Sequence, residues 1–175
     1  MVKNYVDRPV GQDELSSLAA LAKAEEESFF SRNPHLVKSY RHRLLVVALC
    51  QGAALQYLGR GYGVNDFDLH FFYRQNPDKP RLSRTVKRVW ATVGSCQSVP
   101  VDFVRTVRTS RLHEDQPLDT VKMVRAFLRH PPTDNARHLA CKAVIGLAPQ
   151  ELYATVIWPQ PSLTSGCKQP QPARL

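Results

Sequence analysis

The sequence has no long hydrophobic run. The longest, Leu44 to Cys50, is far shorter than the roughly 20 apolar residues that cross a bilayer. The opening residues, MVKNYVDRPVGQDE, also lack the apolar stretch of a signal peptide. We therefore expect a cytoplasmic protein with no membrane partner.

Cysteine is sparse and scattered. The four cysteines, Cys50, Cys96, Cys141 and Cys167, form no CxxC pair, so the pattern indicates neither a zinc ribbon nor a disulfide-stapled scaffold. We expect reduced thiols, mostly in the core. The remaining composition, 43% apolar and 22% charged over 175 residues, is typical of an ordinary globular domain.

Acidic residues are scarce in one segment of a basic chain. The formal net charge is +9, and between Arg81 and Arg111 seven Lys and Arg residues accompany a single acidic residue, Asp102. This imbalance suggests a positive face beside Asp102 that attracts a polyanion such as RNA. The alternative is a set of solvated basic side chains with no binding role.

Hydrophobic periodicity and turn residues predict the local structure. Helical spacing is found over 12–30, 34–43, the short segment after 51, 82–93, 118–130 and 133–147. Strand patterns are found over 44–50, 65–73 and 99–107. The order predicts an α/β (α+β) fold with a small mixed, twisted sheet flanked by helices. We expect one domain over 1–158, with its core at 44–111, a helical C-terminal part at 117–148, and a flexible tail at 159–175.

Two carboxylates alternate in the segment NDFDLHFF. If this segment is a strand, Asp66, Asp68 and His70 point to one face, with the two carboxylates about 7 Å apart along the chain. Like charges held this close favour a bridging cation, and hard oxygen ligands suit Mg²⁺. Asp102, flanked by apolar residues in VPVDFV, is a candidate third ligand from a neighbouring strand, which would complete a two-metal site. The alternative places Asp66 and Asp68 in a turn after Gly63.

A glycine and a small residue follow the first buried strand. Gly52 and Ala53 begin a helix there, and backbone N–H groups in such a position can receive a phosphate chain. Twelve residues separate Ala53 from Asp66, which is enough for a short helix and a return loop.

The order glycine–small residue, D-h-D-h and a later h-D-h strand resembles the signature of the DNA polymerase β-like nucleotidyltransferase superfamily. Within it, QGAALQYLGRGYGVNDFDLHFF is most similar to the GGTAL…DhDhff segment of the AbiEii-type nucleotidyltransferases, which include toxins of toxin–antitoxin pairs that modify tRNA. The resemblance covers roughly residues 44 to 105.

The resemblance implies a role for each matching residue. Gly52 and Ala53 would contact the triphosphate of an NTP substrate, although Ala53 lacks the hydroxyl that serine supplies in many members. Asp66, Asp68 and Asp102 would bind two Mg²⁺ ions, and Asp102 would help to activate the acceptor hydroxyl. Lys142 is the candidate for a downstream catalytic lysine, by approximate order alone.

The implied reaction transfers a nucleoside monophosphate from an NTP to a hydroxyl, with an RNA or tRNA end as the first-choice acceptor. A protein side chain or a small molecule is the next choice. Two other hypotheses remain open: a nucleotidyltransferase fold that binds without catalysis, such as the antitoxin-like half of a protein pair, and a plain nucleic-acid-binding domain.

Overall fold

The protein was studied as a computed structural model. The structure describes residues 10–60, 63–76, 82, 85–109 (main chain only for 106–109) and 119–159. Its helices are α1 (Gln12–Arg32), α2 (Pro34–Tyr40), α3 (Gln51–Tyr57), α4 (Thr120–Arg129) and α5 (Asp134–Ala140). Its strands are β1 (Leu44–Cys50), β2 (Phe67–Arg74), β3 (Thr85–Val93), β4 (Cys96–Thr109), β5 (Ala143–Ala148) and β6 (Val156–Trp158).

The six strands form one mixed sheet in the order β3-β4-β2-β1-β5-β6. β2 and β4 are parallel, whereas the other neighbouring strands are antiparallel. The α+β fold class expected from the sequence is confirmed. The most apolar strands, β1 and β2, lie at the centre, where both of their faces are covered by other residues.

Alternation along the strands creates two different faces. The first face carries residues such as Leu49, Leu69 and Phe103, which pack with Leu15 and Leu18 of α1 in the larger core cluster. On the second face, α4 and α5 cover β1, β5 and β6, and they also reach Phe72 of β2 and part of β4.

The smaller core cluster lies under these two helices and includes Ala48, Phe72, Val124 and Leu139. Beyond it, on edge strand β3, Val86 and Trp90 are exposed. Among the described residues, the second face is therefore least covered along β3.

The helix expected over residues 82–93 is wrong, because β3 occupies most of that segment. The apolar residues there fit helical spacing, but Thr85, Val86, Val89, Thr92 and Val93 are β-branched, which favours a strand. Residues alternate between half-buried and exposed along β3, as the edge of a sheet requires.

The expectation of helix over 133–147 is correct only to Ala140, since β5 follows. A short apolar run such as AVIGLA suits a buried strand as well as a buried helix, so periodicity does not separate the two. Within β5, the segment 152–155 lies so close to Gly146 that only glycine fits there. A Cβ at this position would overlap the carbonyl oxygen of Leu152, and the Gly146 N–H donates to the Thr155 carbonyl at 2.9 Å.

The helices expected near the N-terminus, after β1 and over 118–130 are confirmed, as are the strands carrying LLVVALC, DLHFFY and VDFV. Cys50 and Cys96 are free and buried, whereas Cys141 is free but exposed. Cys167 and the expected flexible tail, apart from Pro159, lie outside the described residues. In the part of the chain that the structure describes, every helix is too short or too polar to span a bilayer.

Candidate active site

Two of the three aspartates stand side by side on neighbouring strands. Asp68 of β2 is the register partner of Asp102 of β4 in the parallel pair. Each alternates with residues of the larger core cluster, so both side chains lie on the second face. Neighbouring strands are separated by about 4.8 Å, which brings two carboxylates together without any loop.

Asp66 lies immediately before β2, and not within the strand as expected. Its side chain is 38% exposed, compared with 12% for Asp102. Its carboxylate nevertheless reaches the same position, because it accepts a hydrogen bond from Arg88 Nη2 at 3.0 Å.

Arg88 of β3 joins these carboxylates. It is the antiparallel register partner of Asp102. Its Nε donates to Asp102 Oδ1 at 2.7 Å, and its Nη2 donates to Asp102 Oδ2 at 2.7 Å. Because Nη2 also binds Asp66, the two carboxylates lie within about 6 Å of each other, the range over which charges perturb one another strongly. This bidentate pair raises the pKa of Arg88, so the guanidinium remains charged.

The surroundings of Asp68 disfavour the ionised form of its carboxyl group. Burial, followed by the charges of Asp66 and Asp102, raises its pKa to about 7, although Lys142 and Arg88 act in the opposite direction. A carboxyl group in this condition gains free energy from any additional cation that approaches it. The carboxylates as a set are therefore incompletely neutralised by the protein.

Lys142 is brought to the site from the other side. It follows α5 and precedes β5, and its Nζ lies 3.4 Å from Gln51 Oε1, with Gln51 at the start of α3. Its charge lowers the pKa of Asp68, which indicates that the two side chains are near each other. Lys142 therefore lies between a helix and a strand, and not within the helix expected from the sequence.

Cys50 lies beside Asp68, on the neighbouring strand β1. It is the antiparallel register partner of Asp68 and is fully buried. Burial, together with the charge of Asp68, raises the pKa of the Cys50 thiol well above its ordinary value. The thiol is therefore neutral and does not serve as a nucleophile near neutral pH.

Gly52 faces open space at the beginning of α3. A Cβ added to it would meet no heavy atom within 4 Å, so the packing of the protein does not require glycine at this position. Ala53 differs, since it is buried in the larger core cluster. A serine at position 53 would direct its hydroxyl into that core from the same backbone.

The described basic residues do not form the positive face expected between Arg81 and Arg111. Arg105 is buried and binds Glu25, Lys87 binds Glu25 on the first face, and Arg88 is neutralised by aspartates. The side chains of Arg81, Arg84, Arg108 and Arg111 lie outside the described residues.

The donor chemistry of the cluster fits a hard divalent cation. Three carboxylates with one incompletely neutralised member are the oxygen ligands that Mg²⁺ uses. Within the described residues, however, no three acidic, histidine or cysteine side chains are arranged as a ready metal site. The guanidinium of Arg88 lies between two of the three carboxylates, so the oxygens that a cation needs are already bound.

Sequence reasoning did not identify Arg88 as part of the site. The expected helix over 82–93 placed it among the bases on one side of that helix, and its relation to Asp102 arises only from strand pairing. The one available signal was the β-branched content of the segment, which favours a strand beside the strand of Asp102.

Comparisons with protein-family models, with curated proteins and with solved structures gave no match to this chain. A function must therefore be argued from the geometry of the site.

Proposed function

We propose that the protein is a Mg²⁺-dependent nucleotidyltransferase that moves a nucleoside monophosphate from an NTP to a hydroxyl group. The observation that carries this proposal is the meeting of Asp66, Asp68 and Asp102 on one open part of the sheet. Two of them bind the same guanidinium and two are register partners.

We assign the residues in and around the cluster separate roles in binding the metal and the triphosphate. Asp66, Asp68 and Asp102 would hold Mg²⁺, which supplies charge neutralisation for the phosphates and for the departing pyrophosphate. The backbone at Gly52 and Ala53 would receive the triphosphate, as the resemblance implies, and an added Cβ at Gly52 would meet open space. Lys142, held near Gln51 and Asp68, supplies a positive charge for the same phosphates.

The transfer itself breaks one bond and forms one. The acceptor oxygen bonds to the α-phosphorus, the bond from that phosphorus to the bridging oxygen of pyrophosphate breaks, and the acceptor proton passes to a carboxylate. Asp102 is assigned this proton by the resemblance to the nucleotidyltransferase superfamily. Positioning and charge stabilisation would provide most of the rate enhancement.

An RNA end, such as that of a tRNA, is the acceptor we propose first, on the basis of the net charge of +9. The described side chains add little to this choice, because Arg88, Arg105 and Lys87 are engaged with carboxylates. A protein side chain or a small molecule is the alternative acceptor, and a cognate protein of toxin–antitoxin type is the partner proposed with it.

Label transfer tests the proposal. The protein is incubated with each α-labelled NTP, Mg²⁺ and either total RNA or cell lysate, and the label on macromolecules is measured. We expect transfer by the parent protein, and a loss of about a thousandfold in Asp68→Asn, equivalent to about 4 kcal/mol of transition-state stabilisation.

The matched control is Asp134→Asn, because Asp134 is also an aspartate paired with an arginine but is 85% exposed on α5. Its activity should equal that of the parent. Transfer that survives unchanged in Asp68→Asn would refute the assignment of the site.

One observation favours a second function: Arg88 donates hydrogen bonds to both carboxylate oxygens of Asp102. A fold of this kind that binds without catalysis would keep such an ion pair permanently. This candidate predicts a complex with a nucleotide or a protein that forms equally well with EDTA and with Mg²⁺, and no label transfer under any condition above.

A further inference from the structure

Arg88 occupies the position that a cation would take in the cluster. Its guanidinium uses both carboxylate oxygens of Asp102 and one oxygen of Asp66. These two aspartates come from different segments, one preceding β2 and one within β4, so the single guanidinium holds them together across three neighbouring strands. A divalent cation placed between the same oxygens would stand next to this guanidinium, and two positive groups at that distance repel each other.

Arg88 is also placed so that it can leave. It lies on edge strand β3, and its side chain is 53% exposed. Its neighbours on the same face of β3, Val86 and Trp90, are exposed as well. A rotation of the side chain away from Asp102 therefore requires no unpacking of the core.

The arginine on the opposite face is different. Arg105 is buried, lies between the rings of Phe29 and Phe71 at 4.3 and 4.4 Å, and donates to Glu25. That guanidinium is fixed by packing on both sides. Among the described residues, Arg105 is thus built into the core, whereas Arg88 is held by carboxylates on an edge strand.

We propose that Arg88 is the internal counter-ion of the metal-free site and is exchanged for a divalent cation, so that this residue sets the cation affinity of the site. The inference rests on the proposed function, because it assumes that the three aspartates bind metal. Arg88 acts as a positioning residue: it keeps the carboxylates assembled until the cation arrives, and the cation must displace it.

The change in cation affinity when Arg88 is replaced has opposite directions for a competing role and for a purely structural role. If Arg88 only supported the fold of the site, its removal would weaken cation binding. If it competes with the cation, its removal strengthens binding, because the oxygens of Asp102 and Asp66 become free.

Mn²⁺ is the probe, since unbound Mn²⁺ is counted directly by electron paramagnetic resonance. The full chain without nucleotide is titrated for the parent, Arg88→Gln and Arg88→Lys. We expect Arg88→Gln to bind Mn²⁺ about tenfold more tightly, because a charge-assisted bidentate pair no longer has to be broken. Arg88→Lys should lie between the two, since an ammonium cannot form the bidentate pair.

Arg137→Gln is the matched control. It removes the same charge from another arginine–aspartate pair, with Asp134 at 3.0 Å, but on the surface of α5. Its Mn²⁺ affinity should equal that of the parent, which excludes a simple effect of net charge. Adding Asp68→Asn to Arg88→Gln should abolish the gain, which locates the cation in the cluster.

Two results would overturn the inference. Equal or weaker Mn²⁺ binding in Arg88→Gln, with binding in the parent that disappears in Asp68→Asn, would remove the exchange while leaving the proposed function intact. Absence of Mn²⁺ binding in the parent and in both Arg88 variants would refute both. Circular dichroism establishes that each variant is folded, and if Arg88→Gln is not, the sign of the change in Arg88→Lys decides.

Discussion

The protein contains two clusters of charged residues on opposite faces of the same strands, and they differ in which charge is in excess. On the first face, the single carboxylate of Glu25 receives three basic side chains, Arg32, Lys87 and Arg105, under helix α1. On the second face, Asp66, Asp68 and Asp102 share the contacts of Arg88 and the nearby charge of Lys142.

The difference separates a cluster that supports the fold from the cluster that we propose binds a cation. The Glu25 cluster is closed: Arg105 is enclosed by aromatic rings, and the pairs join α1 to β3 and β4. The aspartate cluster keeps excess negative charge beside open space at Gly52. Buried ion pairs are costly to break but make little net contribution, whereas unneutralised carboxylates attract cations.

The largest expected effect concerns the closed cluster. Arg105→Leu removes the buried partner of Glu25 and both ring contacts, so we expect the free energy of unfolding to fall by about 3 kcal/mol or more. Urea unfolding followed by circular dichroism measures it. Arg137→Leu, which removes an exposed pair, should change stability by less than about 1 kcal/mol. If the two variants were equally stable, the distinction between a closed and an open cluster would be lost.

A smaller effect is expected from Asp68, and it depends on pH. The pKa of this carboxyl is raised from 3.8 to about 7 in the folded protein, so the unfolded chain ionises first as the pH rises. The stability that the protonated group contributes is therefore complete below about pH 4 and is lost as the pH approaches 7.

Asp68→Asn resembles the protonated form and lacks this loss. In EDTA, its free energy of unfolding relative to the parent should be higher at pH 8 than at pH 4. The full shift would correspond to about 4 kcal/mol, and because Asp68 is only half-buried and solvent screens its interactions, we expect about half of that, about 2 kcal/mol. Urea unfolding at the two pH values measures the difference. If the difference in the free energy of unfolding between Asp68→Asn and the parent did not change with pH, the neighbours of Asp68 would not raise its pKa.

The smallest expected effects are the stability changes caused by two glycine-to-alanine substitutions, at Gly52 and at Gly94. Gly52→Ala should leave stability unchanged or raise it by up to about 1 kcal/mol, since the new Cβ meets open space and alanine favours a helix. Nucleotide affinity, measured by calorimetry, should fall because the Cβ occupies the approach to the backbone.

Gly94→Ala is the counterpart in the turn between β3 and β4. Gly94 has φ of +54°, and a Cβ there would overlap the side chain of Glu14. We expect a loss of about 1 to 2 kcal/mol, the cost of left-handed backbone in a residue with a Cβ. Equal stability of the two alanine variants would contradict the assignment of Gly52 to an open surface.

Several features of the fold could be predicted from the sequence because they depend on local pattern. The amphipathic spacing of α1, the continuous apolar run of β1 and the polar–apolar alternation of DLHFF each specify one element. That alternation also places Asp68 and His70 on one face. The acidic residues of the candidate site were visible for the same reason.

What the tertiary structure decided is where these side chains find their partners. Lys87 and Arg88 are adjacent in sequence, yet strand geometry sends one to Glu25 and the other to Asp102. Neither destination is encoded within β3, because a register with β4 and a helix packed on the opposite face must exist first. The sequence by itself therefore determined the carboxylates, whereas only folding supplied the arginine that lies among them.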